Sequence, residues 1–369
     1  MKNIATIAVL ASMAAGCCHC DKCGGKYFGT DKYGERAHLW TLQGKGGLTM
    51  EVTDAGGKIN RLLVPDAEGN LLDVTIGHDD VTGWEKTDAY PGAIIGRVGN
   101  RIADGKFILD GVEYSIPISD TDHNAALHGG TMGWNEYVWD AKPFVDGDDV
   151  GIVFTKEFPD GEMGFPGTVN VAVTYTITPE NVWRITYDAT TDKATPINLT
   201  QHVYFNLDGS KDILNHDLKI NASKYLAVDS MLKPLEGDAA SVEGTPFDFR
   251  EFHKVGERIN VPDEVLQYGP GYDHNWCIDG EGMRQAAVLK AGRRELEVWS
   301  DQPGLQFYAG NFFKDDQKMK DGRTIGYRGY LALETQGYPN TPNRPDFPSV
   351  TLRPGEKYHT VTEYRFKGL

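Results

Sequence analysis

Glu334 stands in Tyr330-Leu331-Ala332-Leu333-Glu334-Thr335-Gln336, an apolar run where a carboxylate is costly unless it has a partner or a task. His202 lies in Thr200-Gln201-His202-Val203-Tyr204-Phe205-Asn206, where alternation predicts Thr200, His202, Tyr204 and Asn206 on one face of a strand, four polar groups that suggest a wet cleft. A carboxylate with a reference pKa of about 4.3 can accept a proton near neutral pH, and an imidazole of about 6.5 can carry one. Brought together, the two make an acid–base pair. In isolation, a histidine satisfied in the core is the commoner outcome.

Other polar groups sit where a sheet core does not need them. Tyr272-Asp273-His274-Asn275-Trp276 places an acid beside aromatics, suited to holding sugar hydroxyls while a ring face stacks on C–H groups, or equally to a turn with a solvated Asp. Gln306, in Gly304-Leu305-Gln306-Phe307-Tyr308, offers a neutral hydrogen-bonding group within a strand. Gly96-Arg97-Val98-Gly99-Asn100-Arg101-Ile102 reads on pattern alone as a glycine-rich turn with solvated arginines, and Leu127-His128-Gly129-Gly130 as a loop with a structural histidine. His78-Asp79-Asp80 and Asp273-His274 lack the spacing of a metal site, so no metal is predicted and both read as surface or sugar-contact groups. There is no Gly-x-Ser-x-Gly elbow, phosphate loop or dinucleotide fingerprint, which removes the usual serine hydrolases, nucleotide enzymes and dehydrogenases.

The elements that must position these groups are strands. Val169, Val171, Val173, Tyr175 and Ile177 alternate and are answered after Pro179-Glu180-Asn181 by Trp183, Ile185, Tyr187 and Ala189, which predicts a long hairpin. Asp110-Gly111 suits a tight turn between Lys106–Leu109 and Val112–Ile116. Ala287–Lys290 and Glu295–Trp299 flank a turn at residues 291–294, and Val350–Arg353 is expected to pair with Tyr358–Phe366 across Pro354-Gly355. Leu232 to Gly244 reads as a long polar loop. The expected fold is all-β, a large antiparallel β-sandwich with little helix, its ligand cleft lined from scattered segments.

A chain of 369 residues with 40% hydrophobic content has material for a large core, and with no linker in sight one domain over residues 27–369 is the simpler division. The net charge of -16 repels phosphate backbones, so nucleic acid is excluded as a partner. Met1-Lys2-Asn3, the apolar Ile4–Ala15 and Gly16-Cys17 resemble a secretory signal (residues 1–16) ending at a lipid-attachment cysteine, followed by a Cys-rich tether (residues 17–26). This predicts a cell-envelope or periplasmic protein held to a membrane through a lipidated Cys17, or a cytoplasmic one if the leader is not processed. Ala14 stands where that pattern usually has Leu. Cys18, Cys20 and Cys23 with His19 also suit a soft metal, although a floppy tether is the plainer reading, and Cys277 reads as a small buried hydrophobe.

Asn100-Arg101-Ile102, Leu127-His128-Gly129-Gly130, Pro196–Leu207, Gly244-Thr245-Pro246-Phe247-Asp248-Phe249-Arg250 and Leu333-Glu334-Thr335-Gln336, in this order and spacing, resemble the aldose 1-epimerase (galactose mutarotase) family. The resemblance runs from about Tyr27 to the end. It implies a galactose mutarotase-like supersandwich and cofactor-free exchange of the α and β anomers of free hexoses such as galactose and glucose. It implies Glu334 as the base, His202 as the acid, and Asn100, Arg101, His128, Tyr204, Asp273 and Gln306 as sugar-binding positions, with His128 also near the ring oxygen. Val203 and Ala309 depart from common family residues, and alternation should turn both away from the cleft. On reference values, activity should fall at low pH as Glu334 protonates and at high pH as His202 loses its proton. Three rivals stand beside this reading: a glycoside hydrolase, which normally needs two flanking carboxylates and has only Asp273 as an obvious second; a sugar-binding module without catalysis; and a phosphorylated-sugar epimerase, for which no added basic cluster is seen. The preferred aldose and the oligomeric state are left open by the sequence.

Overall fold

A computed structural model describes residues 24–87, 89–314 and 317–369; the leader and the cysteines up to Cys23 lie outside the described residues. Three antiparallel sheets dominate. The predicted hairpin forms as Val169–Ile177 against Val182–Thr191, in the register Ile177↔Trp183. Its inward residues Val169, Val171, Val173, Tyr175 and Ile177 are buried, while Asn170 between them is exposed, as period-two alternation requires. Burying such side chains contributes roughly 1.5–3 kcal/mol each. This hairpin lies within a nine-stranded sheet that runs, in order, Asp140–Asp146, Asp149–Phe158, Val169–Ile177, Val182–Thr191, Tyr358–Gly368, Arg294–Ser300, Arg284–Ala291, Asp217–Ile220 and His253–Lys254. A five-stranded meander covers Lys26–Thr30 through Leu71–Asp73. Among the described residues, helix is confined to short pieces such as Val255–Arg258 and Glu264–Tyr268.

The third sheet has six strands, ordered Tyr204–Phe205, Leu331–Gln336, Gly304–Tyr308, Asp273–Cys277, Lys224–Leu226 and Ala240–Ser241. Cross-strand partners share a face. The rows Asn275–Gln306–Glu334 and Asp273–Tyr308–Ala332–Tyr204 therefore lie on one side, and Phe307, Leu333, Leu305 and Trp276 on the other. The apolar side joins the main core together with Val173, Ile185, Leu296 and Val298 of the nine-stranded sheet. The two sheets are pinned by the Tyr364 hydroxyl, which donates to the Leu333 carbonyl at 3.0 Å, and by the Thr335–Thr362 hydroxyl pair at 2.6 Å. One sheet thus supplies a rigid backing, and the polar face of the other is free to build a site.

Four local expectations are corrected. Thr351–Leu352 pairs with Thr195–Pro196, not with the C-terminal strand; Tyr358–Gly368 is instead drawn between Val182–Thr191 and Arg294–Ser300, whose long apolar edges bury more than a short return hairpin offers. The turn at residues 291–294 tightens to Gly292-Arg293, because Ala291 and Arg294 already pair and Gly292 takes a φ of +55°. Within 232–244, Ala240–Ser241 forms a short edge strand. Thr200–Asn206 is not one strand: Thr200–Gln201 pairs with Ile94–Ile95, Tyr204–Phe205 pairs with Leu331 and Ala332, and His202 lies at the switch. Asp110 and Gly111 both take positive φ, as the expected tight turn demands.

Candidate active site

Glu334 projects from the second strand of the six-stranded sheet, with Gln306 in direct register on the neighbouring strand. His202 reaches the same spot from the break between two short strands, where its own backbone is hydrogen-bonded to the 90–93 turn: Gly92 N–H donates to His202 O at 2.8 Å and His202 N–H to Ala93 O at 3.0 Å. The outcome is a separation of 3.6 Å between His202 Nε2 and Glu334 Oε1, both side chains being almost fully buried. His128 completes the cluster, its ring edge-on to His202 with centroids 5.1 Å apart.

The loops fix the tautomer of His128. Asn100 and His128 bond to each other's backbone, and Asn100 N–H donates to His128 Nδ1 at 3.1 Å. Nδ1 is then the acceptor of a neutral ring, so Nε2 carries the hydrogen. His128, His202 and Glu334 have the composition of a metal-ligand trio, with ligand atoms within 4.8 Å of one another. The Asn100 bond nonetheless makes His128 Nε2 a hydrogen-bond donor instead of an open lone pair, which fits an oxygen-rich neutral ligand better than a cation. Gly129, at φ +94°, has no room for a side chain against the carbonyl of Gly96, which explains the glycine after His128.

Arg101 is not solvated. It is 8% exposed, donates from Nε to Asp120 Oδ2 at 2.8 Å, and approaches Asp273 Oδ2 at 4.0 Å. Asp120 in turn holds His123 Nδ1 at 2.9 Å. Asp273 accepts a 2.8 Å hydrogen bond from Gln306 Nε2. Arg97, the other arginine expected in solvent, is buried and donates to the carbonyls of Pro166 and Gly167. Asn100 accepts the Arg101 N–H on its side-chain oxygen at 2.9 Å.

The structure brings together Glu334, His202, His128, Arg101, Asp273 and Gln306, with Asn100 behind Arg101 and His128. Tyr204 is placed differently. It is wholly buried, its hydroxyl donates to Ala89 O at 2.9 Å, and its ring stacks on His202 with centroids 5.0 Å apart. Thr200 and Asn206 spend their side chains on the carbonyls of Thr335, Ser210 and Gly329, so of the four polar residues expected in a wet cleft only His202 offers a group to it. Val203 and Ala309 lie in the main core, turned from the cleft as expected. His78 packs on Trp84 and bonds to Thr87, and His274 Nε2 bonds to Val265 O, so both serve structure. Sequence reasoning missed Tyr90, whose ring lies 4.7 Å from that of His128 and 6.1 Å from that of His202, and Asp120; a Tyr-Pro-Gly turn marks a bend but not what it faces.

Burial governs the electrostatics. It pushes Glu334 well above the ordinary carboxylate range, with the charge of Asp273 adding to the rise and Arg101 opposing it. It pushes His202 down to about 4, against the opposing effects of a backbone hydrogen bond and Asp273. His128 is held well below the usual imidazole value by burial first, then by His202 and Arg101. The reference values used for the sequence are therefore reordered. In a dry pocket the cheapest arrangement is one proton shared by the Glu334–His202 pair, because moving it from carboxyl to imidazole changes no net charge. Inside the protein Glu334 Oε2, His202 Nδ1 and Gln306 Oε1 are buried without hydrogen-bond partners. Gathered in one cluster, these atoms leave hydrogen-bonding capacity that a polar guest can take up.

Comparisons with known proteins point to one family. The family model described as aldose 1-epimerase matches residues 38–365. The galactose mutarotase of Bos taurus is 39% identical over 324 residues, covering 86% of this chain and 91% of the bovine protein. The aldose 1-epimerase of Escherichia coli K12 is 36% identical over 340 residues, covering 90% of this chain and 96% of that one. Among solved structures, an aldose epimerase homologue from C. elegans superposes with a TM-score of 0.81 at 29% identity, covering 90% of this chain and 99% of its own. A galactose 1-epimerase from Lactobacillus acidophilus gives 0.81 at 26%, covering 93% and 97%. With a family match over most of its length, relatives more than a third identical and a sandwich of the same shape, the chain belongs to the aldose 1-epimerase family.

Proposed function

We propose that Glu334 and His202 are the proton-transferring pair of this aldose 1-epimerase and that its substrates are free hexoses such as galactose and glucose. The observation that carries the reading is the 3.6 Å approach of the two groups. The hydroxyl oxygen and the ring oxygen of a hemiacetal sit on one carbon, so the base for the first and the acid for the second must stand within a few ångströms of each other. With the shared proton on His202, Glu334 removes the proton of the anomeric hydroxyl while His202 protonates the ring oxygen. The bond from C1 to the ring oxygen breaks, leaving an open-chain aldehyde. Rotation about C1–C2 presents the other carbonyl face, and the two residues reverse roles as the ring closes. Each turnover restores the starting protonation, so no co-reactant is consumed.

The surrounding groups fit this chemistry. His128 Nε2–H and the Arg101 guanidinium are donors suited to charge building on the ring oxygen. Asp273 and Gln306 are suited to hydroxyls that do not react, and Asn100 holds Arg101 and His128 in place. Tyr204 serves this reading through His202, on which it stacks. The test is polarimetry with freshly dissolved α-D-galactose and α-D-glucose: Glu334→Gln and His202→Asn should each lower kcat by about 10²- to 10⁴-fold. Rates near wild type in either would remove that residue from the mechanism.

A membrane address is proposed for the same chain, supported by the leader alone: a basic start, the apolar Ile4–Ala15 and the Gly16-Cys17 pair. Acyl labelling lost on Cys17→Ala is the expected result, and an intact Met1 on protein purified from its host would overturn it.

A further inference from the structure

We propose that Tyr90 is a positioning residue for both histidines of the site, acting through its aromatic face and not through its hydroxyl. The inference rests on the acid–base reading of Glu334 and His202 given above. Three observations converge on Tyr90. Its ring contacts the two imidazoles at once, edge-on to His128 at 4.7 Å and near-parallel to His202 at 6.1 Å with an interplanar angle of 29°. Its backbone, together with that of Ala89, holds a conformation that side-chain-bearing residues rarely adopt, with φ of +55° and +73°. Consecutive outliers of this kind persist only where the surroundings over-determine them, and they gather at functional sites.

The surroundings here are the catalytic groups themselves. Tyr204, which stacks on His202, donates its hydroxyl to Ala89 O at 2.9 Å. Ala93 N–H closes the turn on Tyr90 O at 3.2 Å, and Gly92 and Ala93 exchange hydrogen bonds with the peptide of His202. The turn that presents Tyr90 is therefore fastened to the backbone of His202 on one side and to the ring that supports His202 on the other. Tyr90 and His202 can move only together. Placed there, the flat ring keeps the imidazoles aimed and keeps water from the Glu334–His202 pair.

Excluding water widens the pH range over which that pair holds a single proton, since both a second proton and a missing one leave a net charge in a dry site. The groups facing His202 are Glu334 and Asp273 from the sheet, Tyr204 from its own segment, His128 with Arg101 nearby from the loops, and Tyr90 from the turn. Of these only Tyr90 is changed in the test.

Steady-state polarimetry over pH 4 to 10 on Tyr90→Phe, Tyr90→Ala and Tyr90→Leu, each checked for folding by circular dichroism, decides the matter. Tyr90→Phe should stay within about twofold of wild type. Tyr90→Ala and Tyr90→Leu should lose about 10- to 100-fold in kcat with KM changed less, the loss expected of misaimed groups. Their pH–kcat curves should narrow from both sides. A full-width curve in the Ala and Leu variants, with or without a loss of rate, or a Phe variant as impaired as they are, would overturn the proposal. Glu334→Gln in the same assay separates the two claims, because full activity there defeats the acid–base reading whatever Tyr90 does.

Discussion

His202 Nε2 faces Glu334 Oε1 at 3.6 Å, and each group is buried deeply enough that neither charge is stable by itself. Their protons therefore titrate as a pair. In the proposed reaction the working form holds one proton. As pH falls, a second proton must enter, and the group that resists it is His202, held down to about 4. As pH rises, the only proton must leave, and Glu334, raised above its usual range, resists that.

The kcat/KM of anomer exchange should accordingly show its acid limb near pH 4, set by the imidazole, and its alkaline limb set by the carboxyl, the reverse of what reference values assign. Polarimetric rates between pH 3.5 and 9.5 test this. An acid limb at pH 6 or above would mean that the pocket does not strip His202 of solvent.

Asp273→Asn should chiefly weaken binding. The carboxylate accepts from Gln306 at 2.8 Å and lies 4.0 Å from Arg101, and replacing it removes one charge from a partly buried network. A charge-assisted hydrogen bond is worth about 1.5–3 kcal/mol, so KM should rise by about 10- to 100-fold. Because the charge of Asp273 raises both His202 and Glu334, both limbs of the pH profile should also move to lower pH. An unchanged KM would place Asp273 outside the sugar's reach.

Acid should unfold the protein through its buried neutral histidines. His216 is 0% exposed, accepts the Leu207 N–H at 3.0 Å, and is pushed by burial down to about 4, as are His78 and His274. For a group whose folded value lies below its unfolded one of about 6.5, the unfolded chain binds more protons in between. Stability is thus full above about pH 6.5 and falls as pH drops toward 4. His216→Gln should cost about 1–3 kcal/mol at pH 7, since the Leu207 N–H loses its partner, and should show a shallower decline in the urea midpoint between pH 7 and 4 than wild type. Equal declines would remove His216 from the acid response.

The alternation of residues 169–177 and 183–189 and the Asp110-Gly111 turn were legible in the sequence because each is a local pattern with a local cause. Val350–Arg353 was misassigned because two candidate partners for one strand differ only in distant apolar contacts, which no short window contains. At the site, Glu334 was visible as a charge where hydrophobes were expected, and five motifs in register pointed to its companions. Tyr204 is a sugar-binding position by the family resemblance and lies on the same sheet face as Glu334, yet its hydroxyl goes to Ala89 and its ring to His202, contacts that no local pattern contains. Tyr90 gave no signal at all, since what it touches depends on a turn whose shape is set by residues more than a hundred positions away.

The strand carrying Glu334 is hydrogen-bonded on both sides, to Gly304–Tyr308 and to Tyr204–Phe205, and is buried throughout. Sliding it by one residue would send the carboxyl into the hydrocarbon interior and bring Leu333 or Thr335 forward. The proposed proton transfer is thereby tied to a strand whose register is held from both sides. The neighbouring groups come from loops instead, His128 from the segment after Ala125–Leu127 and Tyr90 from the turn before Ile94–Ile95.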